Sequence, residues 1–375
     1  MDRASASSRR VNRRNAIMTI VGATLATPAL LRLTNAQGLQ RLRFTLPWLP
    51  EGSYAYAYVA KAGGHWRQRG YDVELSRGYG ALAAAQAIAQ GQFDLGMGSA
   101  PGLVMLSNKN VDLRSIAILD YEPTMGVCVL ASSPIKSPKD LEGKRVGQTL
   151  TSTDAPFFAP FCERNGVDIS KVQLLNMDAR VRNQALVEGR VDAITGLASS
   201  VLGAIGASGK EVRFMLYSEY GLILYGNVVM AVTPKLLEQN PEMCRAVTEG
   251  LLAGLKYSLT HPAESQEMFL NAVPELKMTS TAQEFARLGM GVQRFSVLAG
   301  GADVKTQGLG WANHGKLDAM TDFVLRYQAE AGSKKPNLET IFTNRFIGSI
   351  KLSASEWATA DKETKWVAPK LGKGA

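Results

Sequence analysis

The sequence contains few of the residues that build disulfide frameworks and metal sites. Its 375 residues include three cysteines, which are widely spaced and form no C-x-x-C pair. It also has three histidines, none of which has a second histidine or cysteine four residues away. These counts disfavour a disulfide-stabilised fold and a zinc site of the cysteine–histidine type. We expect neither a metal nor another cofactor.

Long hydrophobic runs and concentrated charge are scarce beyond the N-terminal segment. No run after residue 36 reaches the 18 apolar residues of a transmembrane helix, so we expect a soluble mature protein. The formal charge is +9, but residues 1–36 hold six arginines and one aspartate, which leaves +4 for the other residues. Such a weak and dispersed charge gives no reason to expect a nucleic-acid partner.

Residues 1–36 have the pattern of an export signal. A charged segment ends at Arg13-Arg14, an uncharged stretch covers residues 16–31, and Thr34-Asn35-Ala36 offers small residues for cleavage. The surroundings of Arg13-Arg14 resemble a twin-arginine signal, with the general secretory route and a disordered basic tail as alternatives. The pattern predicts a periplasmic protein whose signal peptide is cleaved near Ala36.

The remaining sequence alternates short apolar runs with segments of helical period. This alternation predicts an α/β fold with mostly parallel sheets flanked by helices. Residues 86–94 (QAIAQGQFD) match residues 184–192 (QALVEGRVD) at a constant offset of 98. In both segments a helix ends at a glycine and a strand follows. We interpret the match as the duplication of a half-domain.

The duplication predicts two lobes joined by a two-strand hinge, with a cleft between them. We expect residues 37–121 and 232–345 to form lobe 1 and residues 122–231 to form lobe 2. Residues 346–375 are expected to form a C-terminal extension, of which the polar stretch after Thr359 is a loose tail.

Three predicted helix starts are candidate ligand contacts. They lie at Gly78-Tyr79-Gly80, at Ser99-Ala100-Pro101 and in residues 151–156 (TSTDAP). Their free N–H groups are expected to face the crevice at the carboxyl ends of the strands, where open α/β sheets bind ligands. Ordinary helix capping is the alternative interpretation of each start.

A second candidate feature is aromatic. Trp48 follows the first strand, between Pro47 and Pro50, and offers a face on which a planar ligand can stack. Packing in the core is the alternative role. The candidate binding residues are Trp48, Glu51, Tyr54, Tyr79, Ser99, Ala100, Tyr121, Thr151, Ser152, Thr153, Asp154 and Phe157. Because no nucleophile with an accompanying base appears at a recognisable spacing, binding is favoured over catalysis.

Several motifs recur in an order typical of one family. They are residues 48–50 (WLP), 58–61 (YVAK), 64–66 (GHW), 70–73 (GYDV), 89–94 (AQGQFD), 137–147 (SPKDLEGKRVG) and 188–193 (EGRVDA). With them the chain resembles the periplasmic solute-binding proteins of ABC importers, in the branch that binds nitrate, sulfonates, taurine and thiamine precursors. The resemblance covers roughly residues 41–330 and implies the type II two-lobed fold, which closes on its ligand.

The resemblance also implies partners and a ligand class. The implied partners are a small-molecule ligand, a membrane permease and a cytoplasmic ATPase, and the protein is expected to be a monomer. The first strand is similar to that of thiamine-precursor binders, which makes Trp48 the stacking residue. In those binders an aspartate precedes the tryptophan and a histidine follows it by six residues, whereas this chain has Pro47 and Tyr54.

The sequence therefore favours a receptor for a small aromatic or heterocyclic solute, with an anionic group compatible with the helix starts. A receptor for alkanesulfonates, taurine or nitrate is the alternative within the family. An enzyme that is exported with its cofactor, and a sensor domain that signals through a partner, are alternatives from other classes. The cysteine-rich segment of the yeast-type pyrimidine-forming enzymes is absent here, which favours a protein that is not an enzyme.

Overall fold

The computed structural model describes residues 38–150, 152–206 and 208–371. The strands found in them are β1 (Gln40–Thr45), β2 (Tyr71–Ser76), β3 (Leu95–Gly98), β4 (Arg114–Asp120), β5 (Met125–Leu130), β6 (Arg145–Gln148), β7 (Gln173–Asn176), β8 (Ala193–Leu197), β9 (Val212–Leu216) and β10 (Val228–Val232). The helices are α1 (Ala55–Ala62), α2 (Ala81–Ala89), α3 (Ala100–Ser107), α4 (Phe158–Arg164), α5 (Ala179–Val187), α6 (Ala198–Gly206), α7 (Pro234–Gln239), α8 (Pro241–Thr260), α9 (Pro262–Ala272), α10 (Ser280–Leu298), α11 (Gly301–Gln307), α12 (His314–Tyr327), α13 (Leu338–Ile341) and α14 (Ala354–Lys362).

The strands form two five-stranded sheets, one in each lobe. The order is β2-β1-β3-β10-β4 in the first sheet and β7-β6-β8-β5-β9 in the second. In each sheet one strand is antiparallel to both neighbours, β10 in the first and β5 in the second. Helices cover the sheets, so central strands such as β10, which is buried along its whole length, are apolar throughout. The predicted two-lobed α/β fold with mostly parallel sheets is confirmed.

The internal repeat of the sequence corresponds to a repeated structural element. The carboxylate of Asp94 accepts hydrogen bonds from the backbone N (2.8 Å) and the Nη2 (2.9 Å) of Arg43, and this Nη2 also donates to the carbonyl three residues before Asp94. In lobe 2, Asp192 and Arg145 make the same three contacts, each at 2.9 Å. Each aspartate therefore joins the start of one strand, β3 or β8, to its parallel neighbour in the sheet, β1 or β6, which supports the duplication.

The chain passes between the sheets at two places. β4 ends at Asp120 and β5 begins at Met125 in the other sheet, while β9 ends at Leu216 and β10 begins at Val228 in the first sheet. The lobe boundaries given by the sequence stay a prediction, with one difference. The sequence analysis places residues 228–231 in lobe 2, but they belong to β10, which pairs with β3 and β4 of the first sheet, so the return to lobe 1 comes before Val228.

Helix α10 packs against both lobes at backbone distance. It lies on α6 of lobe 2 and on the turn at residues 52–54 of lobe 1. A Cβ at Gly203 of α6 would lie 2.2 Å from Cδ2 of Phe285, and a Cβ at Gly52 would lie 2.0 Å from the carbonyl oxygen of Ala286. Only glycine leaves room for α10 at these two positions.

The C-terminal extension is packed rather than loose. α14 lies on α8, and the fully buried Val367 and Leu371 join the apolar core of lobe 2. The Arg287 guanidinium lies 4.0 Å from the centre of the Trp366 ring. These apolar residues are few within a lysine-rich stretch, which is why the composition alone predicted a tail. Within the described residues, no helix combines the length and the apolar composition of a membrane span.

The contact of α10 with α6 predicts a difference between two glycines of α6. Gly203→Ala should lower the free energy of unfolding by about 1–2 kcal/mol. The new methyl group overlaps Phe285, and the cost of this overlap exceeds the gain from the higher helix propensity of alanine. Gly206→Ala is the matched control, since its Cβ would lie 3.6 Å from the nearest atom of Leu288. It should be neutral or stabilising by up to about 1 kcal/mol. Urea unfolding midpoints measure both values, and equal effects of the two substitutions would contradict the packing described.

Candidate functional site

A cleft of about 660 Å³ lies between the two lobes. Its lobe 1 wall is formed by the residues that follow β1 and β2, and its lobe 2 wall by the residues that follow β6, β7 and β8. Asn227 and Val228 at the second crossing and Phe285 of α10 complete the lining. The cleft therefore lies at the carboxyl ends of the parallel strands, the usual position of ligands in open α/β sheets.

A second cavity of about 320 Å³ adjoins the cleft. The two cavities share the side chains or backbone of Tyr79, Gly80 and Ala81 from lobe 1 and of Ser152 and Thr153 from lobe 2. The second cavity then continues between the starts of α2 and α3 on one side and Leu150, Pro156 and Phe157 on the other.

Trp48 forms part of the lobe 1 wall and is held by a rigid loop. Its carbonyl accepts a hydrogen bond from the N–H of Gly78 (3.0 Å), and the N–H of Gly80 donates to the carbonyl of Pro47 (2.9 Å). A Cβ at Gly78 would lie 2.1 Å from the carbonyl oxygen of Leu46, so the two loops approach as closely as glycine allows. These contacts hold the backbone that carries the half-buried indole.

Glu51 connects the two lobes. The side chain is buried, and its carboxylate accepts hydrogen bonds from Ser53 Oγ (2.8 Å) and from Ser200 Oγ of lobe 2, which is 3.0 Å from both carboxylate oxygens. Burial raises the pKa of Glu51 to about 7, and the two serine hydrogen bonds oppose the shift. The titration of this carboxyl group is therefore moved toward neutral pH.

Arg182 lies on the opposite wall, in α5. Its side chain is only 3% exposed, its Nε and Nη2 donate to Asn183 Oδ1 at 3.3 and 3.2 Å, and its Nη1 is buried without a hydrogen-bond partner. Burial lowers its pKa, and the nearby Asp154 opposes the shift. No carboxylate of the described residues forms an ion pair with this guanidinium. Asp154 and Asp178 attract this guanidinium, but its Nη1 keeps an unused hydrogen-bond donor that an anionic group can accept.

Asp120 is a second buried carboxyl, at the first crossing between the lobes. Ser296 of α10 donates to its Oδ1, and Asn227 donates to its Oδ2 at 3.4 Å. Burial raises the pKa of Asp120 to about 7, and these two hydrogen bonds oppose the shift. Because Asn227 also lines both cavities, the hinge and the cleft share a side chain.

The structure brings most of the predicted site residues together. Those that line the cleft are Trp48, Glu51, Tyr54, Tyr79, Ser152 and Thr153. Ser99 and Phe157 line the second cavity. Ser99 also caps α3 by accepting a hydrogen bond from the N–H of Gly102 (3.2 Å), so the capping alternative holds for it as well.

Three predicted residues lie elsewhere, and one cannot be assigned. Tyr121 packs in the lobe 1 core, with its ring centre 6.1 Å from that of Tyr225, and its hydroxyl accepts a hydrogen bond from Gly310 N. Ala100 is buried and lines neither cavity. Asp154 is fully buried and accepts a hydrogen bond from Ser152 instead of lining the cleft. Thr151 lies outside the described residues.

Several lining residues were missed by the sequence analysis. The main ones are Arg77, Asn183, Arg182, Ser200, Asn227 and Phe285. Arg182 had a detectable signal, because it precedes the buried Ala185 and Leu186 by three and four residues and so shares the apolar face of α5. An arginine on an apolar helix face is unusual. Phe285 had none, since it comes from a helix far along the chain.

Comparison with known proteins gives the following likenesses. A family model described as NMT1/THI5 like matches residues 52–265. The formylaminopyrimidine-binding protein of Halalkalibacterium halodurans is 23% identical over 235 residues, which are 62% of this chain and 71% of that protein. The riboflavin-binding protein RibY of Chloroflexus aurantiacus is 23% identical over 333 residues, or 86% and 90%. The 4-amino-5-hydroxymethyl-2-methylpyrimidine phosphate synthase of Candida albicans is 20% identical over 265 residues, or 66% and 76%.

Solved structures share the fold. The periplasmic aliphatic sulphonate binding protein SsuA of Escherichia coli superposes with a TM-score of 0.56 at 15% identity, covering 67% of this chain and 83% of that one. A Candida albicans protein with the generic periplasmic binding protein fold gives 0.59 at 12% identity, covering 84% and 99%. The fold is therefore that of the periplasmic binding proteins.

The two buried carboxyls predict a stability that falls as the pH rises. The pKa of Glu51 is about 7 in the folded protein, against an ordinary value of 4.5, so the folded state holds a proton that the unfolded state releases between these pH values. Raising the pH from 4.5 to 8 removes that proton from the folded state and lowers the free energy of unfolding by roughly 3 kcal/mol. Glu51→Gln should therefore be more stable than the wild type at pH 8 by up to about this amount, and similar at pH 4.5.

Urea unfolding at the two pH values measures the effect. Asp120→Asn should remove a comparable part of the pH dependence of the stability, because burial also raises the pKa of Asp120. If Glu51→Gln kept the full pH dependence of the wild type, the Glu51 carboxyl would be titrating near its ordinary pKa, and the burial described would not govern it.

Proposed function

The chain belongs to the NMT1/THI5-like family, and from this membership and the cleft between the lobes we propose that it is the substrate-binding component of an ABC import system. It captures a small aromatic or heterocyclic solute that bears a negative charge, and delivers it to a membrane permease driven by a cytoplasmic ATPase. The observation that carries the proposal is the cleft itself, with the fixed indole of Trp48 on one wall and the buried guanidinium of Arg182 on the other.

Stacking on Trp48 supplies affinity. An aromatic ring that covers the indole gains the free energy of apolar burial, and a loop pinned by hydrogen bonds loses little entropy when it is covered. Tyr54 and Tyr79 add further aromatic surface on the same wall. These contacts favour a planar ligand over a small saturated one.

Arg182 supplies selectivity for charge. A buried guanidinium pays a desolvation cost in the free protein, and an anionic group in the cleft offsets that cost. Charge-assisted hydrogen bonds to a carboxylate, sulfonate or phosphate are about twice as strong as those between neutral groups. Ser152, Thr153 and Asn183 offer hydroxyl and amide groups nearby for the remaining acceptor atoms.

The environment of Glu51 favours binding over catalysis. A buried carboxyl with a pKa near 7 is typical of general acids and bases. Here, however, Ser53 and Ser200 donate to its two oxygens, so the carboxylate serves as a contact between the lobes. We infer that the protein performs no chemistry on its ligand, although a synthase is among its relatives. Recovery of a bound ligand unchanged after long incubation is the expected result.

The proposal includes export to the periplasm as a monomer. The N-terminal residues that suggest a cleaved twin-arginine signal lie outside the described residues. A structurally similar sulphonate-binding protein is described as periplasmic, which supports the same location. Closure of the lobes on the ligand follows from the two crossings, which join lobes that contact each other through Glu51 and Ser200.

A second candidate is a receptor for compact anions such as alkanesulfonates, taurine or nitrate. Arg182 favours it, because a small anion needs the guanidinium and little of the aromatic wall. A thermal-shift screen of pyrimidines, flavins, aromatic carboxylates and sulfonates separates the two candidates. A ligand at 100 times its Kd stabilises the protein by about 2.7 kcal/mol.

Loss of the indole should weaken the binding of an aromatic ligand found in this screen. Trp48→Ala is expected to raise its Kd about 10- to 100-fold, since a large stacked surface is lost. Trp357→Ala is the matched control, because Trp357 is a half-buried tryptophan of α14 that lies outside the cleft, with Lys305 Nζ 4.6 Å from its ring centre. Isothermal titration calorimetry measures both, and an unchanged Kd in Trp48→Ala would refute the stacking role.

Loss of the guanidinium should weaken the binding of anionic ligands more than that of uncharged ones. Arg182→Met is expected to raise the Kd of an anionic ligand about 10- to 100-fold, because one or two charge-assisted hydrogen bonds are lost. The Kd of an uncharged analogue, such as the corresponding amide, should rise less than about threefold. Arg294→Met is the matched control, since Arg294 is equally buried but lies away from the cleft, with its Nη2 donating to the Ser258 carbonyl. An equal rise in Kd for the anionic ligand and its amide would show that the anionic group does not bind at Arg182.

A further inference from the structure

The charges that line the two cavities are segregated. Glu51, Arg77, Asp178 and Arg182 all line the cleft. Among the described residues, no aspartate, glutamate, lysine, arginine or histidine lines the second cavity. The charged side chains are therefore confined to one end of a continuous space between the lobes, while the second cavity is lined by neutral residues.

The second cavity offers apolar side chains from both lobes. Leu82 and Met105 face it from lobe 1, and Leu150 and Phe157 from lobe 2. Leu82 is 39% exposed and Leu150 is 60% exposed, so these two leucines leave much apolar surface in water. Covering such surface is favourable, and exposed apolar surface within a binding site commonly marks a contact.

Tyr79 stands between the two cavities. Its side chain is 71% exposed, and the Arg77 guanidinium lies 4.4 Å from the centre of its ring. The loop that carries it is fixed by the hydrogen bonds of Gly78 and Gly80 to residues 47 and 48. A ligand that stacks on the lobe 1 wall and extends past Tyr79 thus enters the second cavity directly.

We propose that the second cavity is a subsite for an apolar arm of the same ligand whose anionic group lies near Arg182. The ligand is then an elongated organic anion, with an aromatic ring at the cleft and an apolar extension of several carbon atoms. This class is distinct from a single-ring pyrimidine and from a two-carbon sulfonate, which leave the second cavity empty. The inference rests on the proposed function, because it requires that the cleft bind an anion.

A homologous series of probes tests the inference. Benzenesulfonate, 4-ethylbenzenesulfonate and 4-pentylbenzenesulfonate share one anionic head and differ in the length of the arm. The Kd measured by calorimetry should fall about threefold with each added carbon of the arm, or roughly 240-fold from benzenesulfonate to the pentyl compound, as apolar surface is buried. A Kd that does not change along the series would overturn the inference.

Variants separate the two ends of the ligand. Ala83→Trp fills the second cavity from the exposed face of α2. It should abolish the increase in affinity with arm length and leave the Kd of benzenesulfonate unchanged. Ala87→Trp is the matched control, one helical turn further on and outside both linings, and should keep the gain. Leu150→Asn, at a mostly exposed position, gives a second test that does not depend on a bulky side chain and should reduce the gain. An Ala83→Trp protein that keeps the full gain would contradict the subsite.

The outcomes for the two proposals are distinguishable. Arg182→Met should raise the Kd of all three probes by a similar factor and leave the increase in affinity with arm length unchanged. If benzenesulfonate binds in a manner that depends on Trp48 but the arm adds nothing, the subsite is refuted and the proposed function stands. If no probe of the series binds, the elongated anion is refuted, and the proposed function is judged by the effect of Trp48→Ala on the ligand found by screening.

Discussion

The close packing of α10 between the lobes is the constraint on which the rest of the structure depends. Glycines at positions 52 and 203 let this one helix approach the backbone of both lobes, so it holds them in contact beside the cleft. The same helix places Phe285 in the cleft and Ser296 on Asp120 at the first crossing. The shape of the cleft, the environment of the hinge and the contact between lobes therefore all follow from a single packed element.

The cleft gains its chemistry from groups that are costly to bury. The Arg182 guanidinium is almost fully buried, and its Nη1 has no hydrogen-bond partner in the protein, although Asp154 and Asp178 attract it. An anionic group in the cleft supplies the missing acceptor and offsets part of the cost of burying this cation. The buried Glu51 carboxyl is instead satisfied within the protein, because Ser53 and Ser200 donate to it.

The local parts of the structure were predictable from sequence, and the parts that depend on tertiary packing were not. The strands, the two-lobed fold and the environment of Trp48 follow from short-range patterns that the chain repeats, such as the segments ending at Asp94 and Asp192. Some helix ends are equally local, because Gly63 and Gly64 follow the last residue of α1, Ala62. Ser200 and Phe285 reach the cleft only through the packing of α6 against α10, and no local pattern encodes that contact.

The packing of the C-terminal segment has a consequence for how the molecule folds. The core of lobe 2 is built from β5–β9 and is completed by Val292, Phe323 and Val367, which are 76 or more positions further along the chain than the last residue of β9. Neither lobe is thus a self-contained stretch of sequence. Such long-range contacts raise the contact order, which slows folding, and they couple both lobes into one cooperative unit.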